Sequence, residues 1–385
     1  MKNKICVVTS SRADYGLLRF LIHKIEKSSF FDLQLVVSGS HLSKIHGHTL
    51  NEIIQDNITI TQKIETISKT NTKEDIANNV GNTIKKMTNA FSSLKPDMVL
   101  LLGDRYEIFS TAIASAFLNI PIAHIHGGEL TEGAIDDVLR HSITKLAHIH
   151  FTSTKIYKKR VIQMGEQPKS VFNVGSLGVD NLNKLKLVDI ETLQKNLDFQ
   201  FKSKNIMVTY HPVSLNENPA DGINILLNAL KNFKEIGIIF TYPNADILST
   251  KIIENILNFE RNNDNVKVFS NLGQIKYFSC LKYCDGVVGN SSSGIIEAPS
   301  LKTWTINIGS RQKGRVKAPS VFDVKTNKKE IVNKLNFFLN EKKSFSKINF
   351  KNPFFKKNTV DMIFKDLVKF SKEKIVNKKF FDINY

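Results

Sequence analysis

MVLLLGDRYEIFSTAIASAFLNIPIAHIHGGE, residues 98–129, decides the fold. Met98–Leu102 is an unbroken apolar run of strand length, and Gly103-Asp104-Arg105 ends it. Arg105–Leu118 then spaces its apolar residues as a helix does and stops before Ile120-Pro121. Ile122–Ile125 is a second short strand, closed by the polar, glycine-containing stretch His126–Glu129. Strand, helix and strand over some 30 residues is the pattern of a parallel βαβ unit.

The same theme extends in both directions. Toward the N-terminus, Ile5–Val8 and Leu33–Val37 read as strands, and Tyr15–Lys27 and Asp75–Leu94 as helices, the latter stopping before Pro96. Ile149–Thr152 follows as a further strand. After about residue 185 the theme restarts. Ile206–Thr209, Ile236–Thr241, Val266–Phe269, Gly286–Val288 and Trp304–Ile308 are strand runs with helical stretches such as Asn224–Phe233 between them. The expectation is an α/β chain with two Rossmann-like domains. The first spans 1–185 and is joined by a C-terminal helix over 358–376; the second spans 186–357. Ligands of open α/β sheets bind beyond the carboxyl ends of the strands. The unusual polar residues fall in those places: Thr9–Arg12, Gly103–Arg105, His126–Glu129, Tyr210–His211, Pro243–Asp246 and Asn290–Gly294. Three such loops in each half predict parallel sheets facing a central cleft.

Bulk properties narrow the function. A length of 385 residues with 41% hydrophobic content suffices for two cores. Apolar runs stay well short of a membrane span, and Ile5–Val8 passes straight into a polar loop, unlike a signal peptide, so a cytoplasmic location is expected. Three cysteines make no disulfide framework, and Cys280 and Cys284 sit at helical spacing in an apolar context, as core thiols do. No Cys/His cluster has zinc spacing, so no metal is expected. The net charge of +18 raises nucleic acid or an anionic membrane as partners. The lysines are spread along the whole chain, however, with the densest groups near its end, and they read as solvated surface charge; neither partner is expected. There is no GxGxxG after the first strand, no GxxxxGK[ST] loop and no GxSxG elbow, so no dinucleotide or other cofactor is expected.

Several clusters could do chemistry. Gly289–Gly294, GNSSSG, follows a strand and opens a helix; its backbone N–H groups either cradle an anion or form an ordinary serine cap. Gly309–Arg315, GSRQKGR, places two arginines and a lysine where a diphosphate could be held, with a solvated turn as the plainer alternative. Glu297 is either a ribose acceptor or a first-turn helix acid. Arg12 stands at a strand exit, and Asp104 is either a helix N-cap or a functional carboxylate. In HIHGGE, strand alternation would put His124 and His126 on one face, and the glycine pair would let a ligand approach closely. Asp136 and Arg140 share a helical face at i,i+4. His211 is either a satisfied loop histidine or a donor to phosphate or a sugar hydroxyl.

Together SSRADYGLL, LLLGDRYEIF, IAHIHGGEL, DDVLRHSITKLAHIHFTST, VFNVGS, GNSSSGIIEAPS and INIGSRQKGR, in this order over residues 4–325, resemble the hydrolysing UDP-N-acetylglucosamine 2-epimerases. The resemblance implies a GT-B-like fold with UDP in the cleft and a homo-oligomer, dimer or tetramer. It also implies an enzyme that converts a UDP-2-acetamido sugar to UDP and a free 2-epimeric sugar for sialic-acid-type synthesis. Asp104 and Asp136 match the family's catalytic carboxylates, and Arg105 and Arg140 its active-site arginines. Arg12, His211, Ser291, Ser292, Glu297 and Arg311 match positions that hold UDP; Asn244 and Arg105 are further candidates for that role. Many members read HIEGGE, with the first Glu catalytic. Here His126 stands in its place, Glu129 is the next carboxylate, and one extra residue precedes Asp136, so the acid/base role falls to either His126 or Glu129. The HIHGGE form resembles the sialic acid branch and favours UDP-N-acetylglucosamine as substrate, with UDP-N,N'-diacetylbacillosamine as the alternative. The hydrolysing reading competes with a non-hydrolysing epimerase, a glycosyltransferase on the same fold, and a non-catalytic nucleotide-sugar binding module.

Overall fold

The computed structural model describes residues 2–42, 50–66, 72–132, 135–213, 220–243, 249–340, 348–373 and 377–383. The chain divides into two compact units. One comprises Met1–Glu129, Ile135–Asn181 and Lys356–Tyr385, and the other Leu130–Ala134 and Leu182–Phe355.

The first unit is a parallel sheet of seven strands: β1 (Asn3–Thr9), β2 (Phe31–Ser38), β3 (Gln62–Ile64), β4 (Met98–Leu102), β5 (Ile122–Ile125), β6 (Ile149–Thr152) and β7 (Val171–Asn173). Their order is β3-β2-β1-β4-β5-β6-β7, with Ile5 opposite Met98 and Val99 opposite Ile122. The central strands are buried on both faces over most of their length, which is why they read as mainly apolar runs, unbroken in β4 and interrupted only by His124 in β5. One face is covered by the helix Arg12–Glu26 and by Thr359–Glu373, whose Val360, Ile363, Leu367 and Phe370 enter the core. The other face is covered from Lys73–Leu94 and Tyr106–Phe117, through Met87, Phe91, Ile108 and Ala112.

The second unit repeats the architecture with β8 (Asn205–Thr209), β9 (Gly237–Thr241), β10 (Val266–Phe269), β11 (Gly286–Gly289), β12 (Trp304–Ile308) and β13 (Val321–Val324), ordered β10-β9-β8-β11-β12-β13 and parallel. Trp304 is fully buried and stacks on Phe338 with ring centroids 4.5 Å apart. Cys280 and Cys284 are free and buried; burial pushes the Cys280 thiol up to about 12, so both behave as core residues.

The helical start at Tyr15 comes out earlier: the helix begins at Arg12, because Ser11 caps it by accepting from Asp14 N. Strands β3, β7 and β13 were not evident in the sequence. In each sheet the strand order reverses beside the first strand, between β1 and β4 and between β8 and β11. The loops leaving those strands therefore flank a topological switch point, where ligands of such sheets bind.

Candidate active site

In the first unit the chemistry-bearing side chains gather beyond β4, β5 and β6. Asp104 leaves β4 and pairs with Nη2 of Arg140 from the helix Ile135–Leu146. The helix after β4 is capped by Arg105 without a side-chain bond, so Asp104 is not an N-cap. Arg140 is 2% exposed, and its Nη1 donates to the Glu129 carbonyl at 2.9 Å and lies 3.5 Å from Asp137. A buried guanidinium is retained where carboxylates and carbonyls satisfy it on several sides. Asp136 is half-buried in the first turn of the same helix.

Glu129 is buried, accepts a hydrogen bond from Ser153 Oγ at 2.9 Å, and lies 3.7 Å from His126 Nδ1. β5 ends at Ile125, and His126 takes a left-handed backbone at φ 69°. Strand alternation therefore stops short of it, and the expected common face of His124 and His126 does not carry over. His124 belongs to the scaffold. Its Nε2 lies 2.8 Å from the Gly103 carbonyl, which can only accept, so that nitrogen carries the proton; Nδ1 lies 3.2 Å from Thr144 Oγ1. Burial pushes its pKa down to about 3, leaving a neutral imidazole. The glycine pair is required by packing. A Cβ on Gly128 would sit 2.6 Å from the Tyr157 carbonyl, and one on Gly127 3.0 Å from Thr144 Oγ1.

Arg12 is half-buried in the first turn of its helix, beside Ser10 Oγ donating to Asp14 at 2.7 Å. Arg105 Nε donates to Oε2 of the fully buried Glu107 at 3.3 Å. Behind them His41 lies 2.9 Å from Thr9 Oγ1, and burial takes its pKa down to about 4.

In the second unit the loops after β8 and β11 lock together. His211 N donates to Asn290 Oδ1 at 2.6 Å, and Asn290 Nδ2 returns a bond to the His211 carbonyl at 2.9 Å. Gly289 precedes this lock at φ 140°, with a prospective Cβ 2.0 Å from the Thr209 carbonyl, so only glycine brings the two loops so close. The Asn290 carbonyl accepts from Arg311 Nη1 at 3.1 Å and Gln312 Nε2 at 2.9 Å. Burial holds the His211 imidazole well below its ordinary pKa, with Arg311 adding to the effect. His211, Arg311 and the start of the serine loop, Ser291 and Ser292, are thus brought to one end of the sheet.

Two expectations change here. The helix after the serines is the single turn Ser293–Ile296, Ser292 makes no side-chain cap, and Glu297 closes that turn and precedes the 3-10 turn Ala298–Leu301, so it is not a first-turn helix acid. Of the three cations in Gly309–Arg315, Lys313 and Arg315 turn to another segment of this unit: Lys313 lies 3.0 Å from Glu132, and Arg315 Nε donates to the Leu130 carbonyl at 3.1 Å. Arg311 alone of the three meets Asn290. Asn244 lies outside the described residues. Sequence reading missed Ser153 and Glu107, although Ser153 follows a strand, and it named Asn290 only as part of the serine motif. Among the described residues no group of three or more His, Cys, Asp or Glu side chains is placed to hold a metal ion. No helix among them is long and apolar enough to cross a membrane.

The family model described as UDP-N-acetylglucosamine 2-epimerase matches residues 23–368. The chain belongs to that family. It is 42% identical over 330 residues to a Campylobacter jejuni protein named GDP/UDP-N,N'-diacetylbacillosamine 2-epimerase (hydrolyzing), covering 85% of each chain. It is 40% identical over 385 residues to the Escherichia coli polysialic acid biosynthesis protein P7, covering 99% of this chain and 97% of the other. Among solved structures, the UDP-GlcNAc 2-epimerase of Neisseria meningitidis bound to UDP-GlcNAc superposes with a TM-score of 0.82 at 18% identity. That match covers 95% of this chain and 100% of the other, and shows the shared fold. The two Rossmann-like sheets are those of this 2-epimerase family.

Proposed function

We propose that this chain is a hydrolysing 2-epimerase that converts a UDP-2-acetamido sugar, UDP-N-acetylglucosamine in the first instance, to UDP and free N-acetylmannosamine. The observation that carries the reading is the pairing of Asp104 with a buried Arg140, next to Glu129 and His126, in a chain 42% identical to a hydrolysing 2-epimerase. Arg12, Arg105, His211, Asn244, Ser291, Ser292, Glu297 and Arg311 are assigned to UDP, with cations and hydroxyls stabilising the diphosphate as it departs.

A base removes the C2 proton, the C1–O bond to UDP breaks with its electron pair leaving on UDP, and a glycal remains. Water then adds through oxygen at C1, and C2 is reprotonated on the opposite face. Asp104 or His126 acts as the base, with Asp136 and Glu129 as partners. Arg140 holds Asp104 in place. Ser153 fixes Glu129, and this orients whichever of His126 and Glu129 transfers the second proton. The released sugar suits sialic-acid-type synthesis, in keeping with the relative named for polysialic acid.

A second reading, UDP-N,N'-diacetylbacillosamine as substrate, is favoured by the name of the Campylobacter relative. The test is incubation with each sugar nucleotide, following free UDP and free sugar. Release of both products identifies the hydrolysing reaction, and the ratio of kcat/KM identifies the sugar. An epimerised UDP-sugar with no free UDP would overturn the proposal in favour of a non-hydrolysing epimerase, and UDP binding without turnover would leave a binding module.

A further inference from the structure

The helix Ile135–Leu146 bears Asp136 in its first turn and Arg140 at its middle, and much of its C-terminal end is satisfied from a distant segment. The last carbonyls of a helix have no intrahelical donor, and Ala147-His148 follow here without the usual glycine. Ala147 N donates back to the Ile143 and Thr144 carbonyls at 2.9 and 3.2 Å.

The remaining acceptors are met from the far end of the chain. Lys378 Nζ donates to the carbonyls of Lys145 and Ala147, the latter at 2.7 Å, and lies 3.4 Å from that of Thr144. It also pairs with Glu166 Oε2 at 2.8 Å. Glu166 is 1% exposed and is shared with Lys145 at 2.7 Å and His150 Nε2 at 3.0 Å. Burial alone would raise this carboxyl; the bonds from His150, Lys145 and Lys378 outweigh it and hold the pKa at about 2. The residues that follow Lys378 are seated on Gly165 and Gln167, the neighbours of Glu166. Phe381 N donates to the Gly165 carbonyl at 2.9 Å, and Gln167 Nε2 donates to the Phe380 carbonyl at 3.2 Å. The Phe380 ring lies so close to Gly165 that a methyl group there would be 2.2 Å from it. A cation at a helix C-terminus also complements the macrodipole.

We propose that Lys378 is a positioning residue: the C-terminal tail clamps the far end of the helix Ile135–Leu146 and thereby fixes where Arg140 meets Asp104. The effect on turnover rests on the function proposed above; the effect on the helix does not. Three ammonium donors face at least three acceptors, so K378M removes the clamp while keeping the stem, and K378R keeps the charge.

The test uses the full-length chain with K378M, K378R and the control K379M. It reads amide hydrogen exchange over residues 139–147 together with steady-state UDP release. In K378M, exchange at 139–143, the turn around Arg140, rises roughly threefold to thirtyfold, as loss of a charged helix-end contact implies. kcat falls roughly threefold to tenfold from misplacement of Arg140, with KM unchanged. K378R restores both, and K379M alters neither. If K378M does not fold, K378Q, which keeps N–H donors but not the ion pair, is read the same way. Faster exchange confined to 144–147, or unchanged exchange throughout, overturns the clamp. A wild-type protein that releases no UDP overturns the proposed function instead, and exchange at 139–143 still decides the clamp.

Discussion

Asp104 is one-quarter exposed, while the arginine that holds it is 2% exposed. Asp104→Asn preserves shape and removes the charge. Arg140 then keeps the Glu129 carbonyl and Asp137, so the fold survives and the loss falls on the reaction. Turnover should drop by about 10²–10⁴, the usual worth of a positioned acid or base, while calorimetric affinity for UDP stays as in the wild type. Wild-type turnover in the variant would remove Asp104 from the chemistry. Asp104 stood out in the sequence because only Gly103 separates it from an unbroken apolar run. Its pairing with Arg140 was not legible: the two are 36 residues apart, and local spacing pointed Arg140 toward Asp136. The two histidines of HIHGGE were misread for a related reason. A period of two holds only inside a strand, and the left-handed backbone at His126 lies beyond its end. Ser153 was missed because a serine after a strand is common, and nothing local marks the carboxylate that it serves.

At the scale of elements, strands β5 and β6 carry a pair of buried histidines. His124 and His150 are register partners, both wholly buried, and burial lowers the pKa of each, that of His124 to about 3. An unfolded chain takes up the His124 proton near pH 6.5, whereas the folded one refuses it until about pH 3. The stability that His124 contributes is therefore present above about pH 6.5 and lost as the pH falls, at about 1.4 kcal/mol per pH unit for this one group. Urea midpoints measured from pH 7.5 down to pH 5 should fall, and His124→Gln should fall less steeply than the wild type. An identical slope in the variant would show that His124 is charged in the fold or that its contribution is negligible. Central elements such as β4 were legible because burial on both faces leaves an apolar run. The edge strands β3, QKI, and β7, VFN, were not: each has three residues, and an edge strand with one open side imposes no such pattern.

The whole molecule uses its chain out of order. Leu130–Ala134 belongs to the second unit, and Lys356–Tyr385 returns to the first. The short excursion left no mark in the sequence, since it depends on Lys313 meeting Glu132 and Arg315 meeting Leu130, more than 180 residues along the chain. The return was suggested by an amphipathic helix following the second set of strands. Its weight follows from what it buries. Val360, Ile363, Leu367 and Phe370 are each at most 5% exposed inside the core of the first unit. Two polar bonds add to this: Thr359 Oγ1 donates to the Val174 carbonyl at 2.6 Å, and Val360 N donates to Asp180 at 3.1 Å. Each large apolar side chain stabilises by about 1.5–3 kcal/mol, an upper figure because denatured chains already bury some surface. Four of them therefore match much of the ~5–15 kcal/mol that a domain has in total. The second unit takes nothing beyond Phe355. A chain ending at residue 355 should consequently lose the first unit and keep the second. Amide exchange followed by mass spectrometry checks this: peptides covering β1 and β4 should exchange as an unfolded chain, while those covering β8 and β11 stay protected. Full protection of β1 and β4 would mean that the first sheet closes without its last helix, and simultaneous loss of β8 and β11 would mean that the two units fold as one.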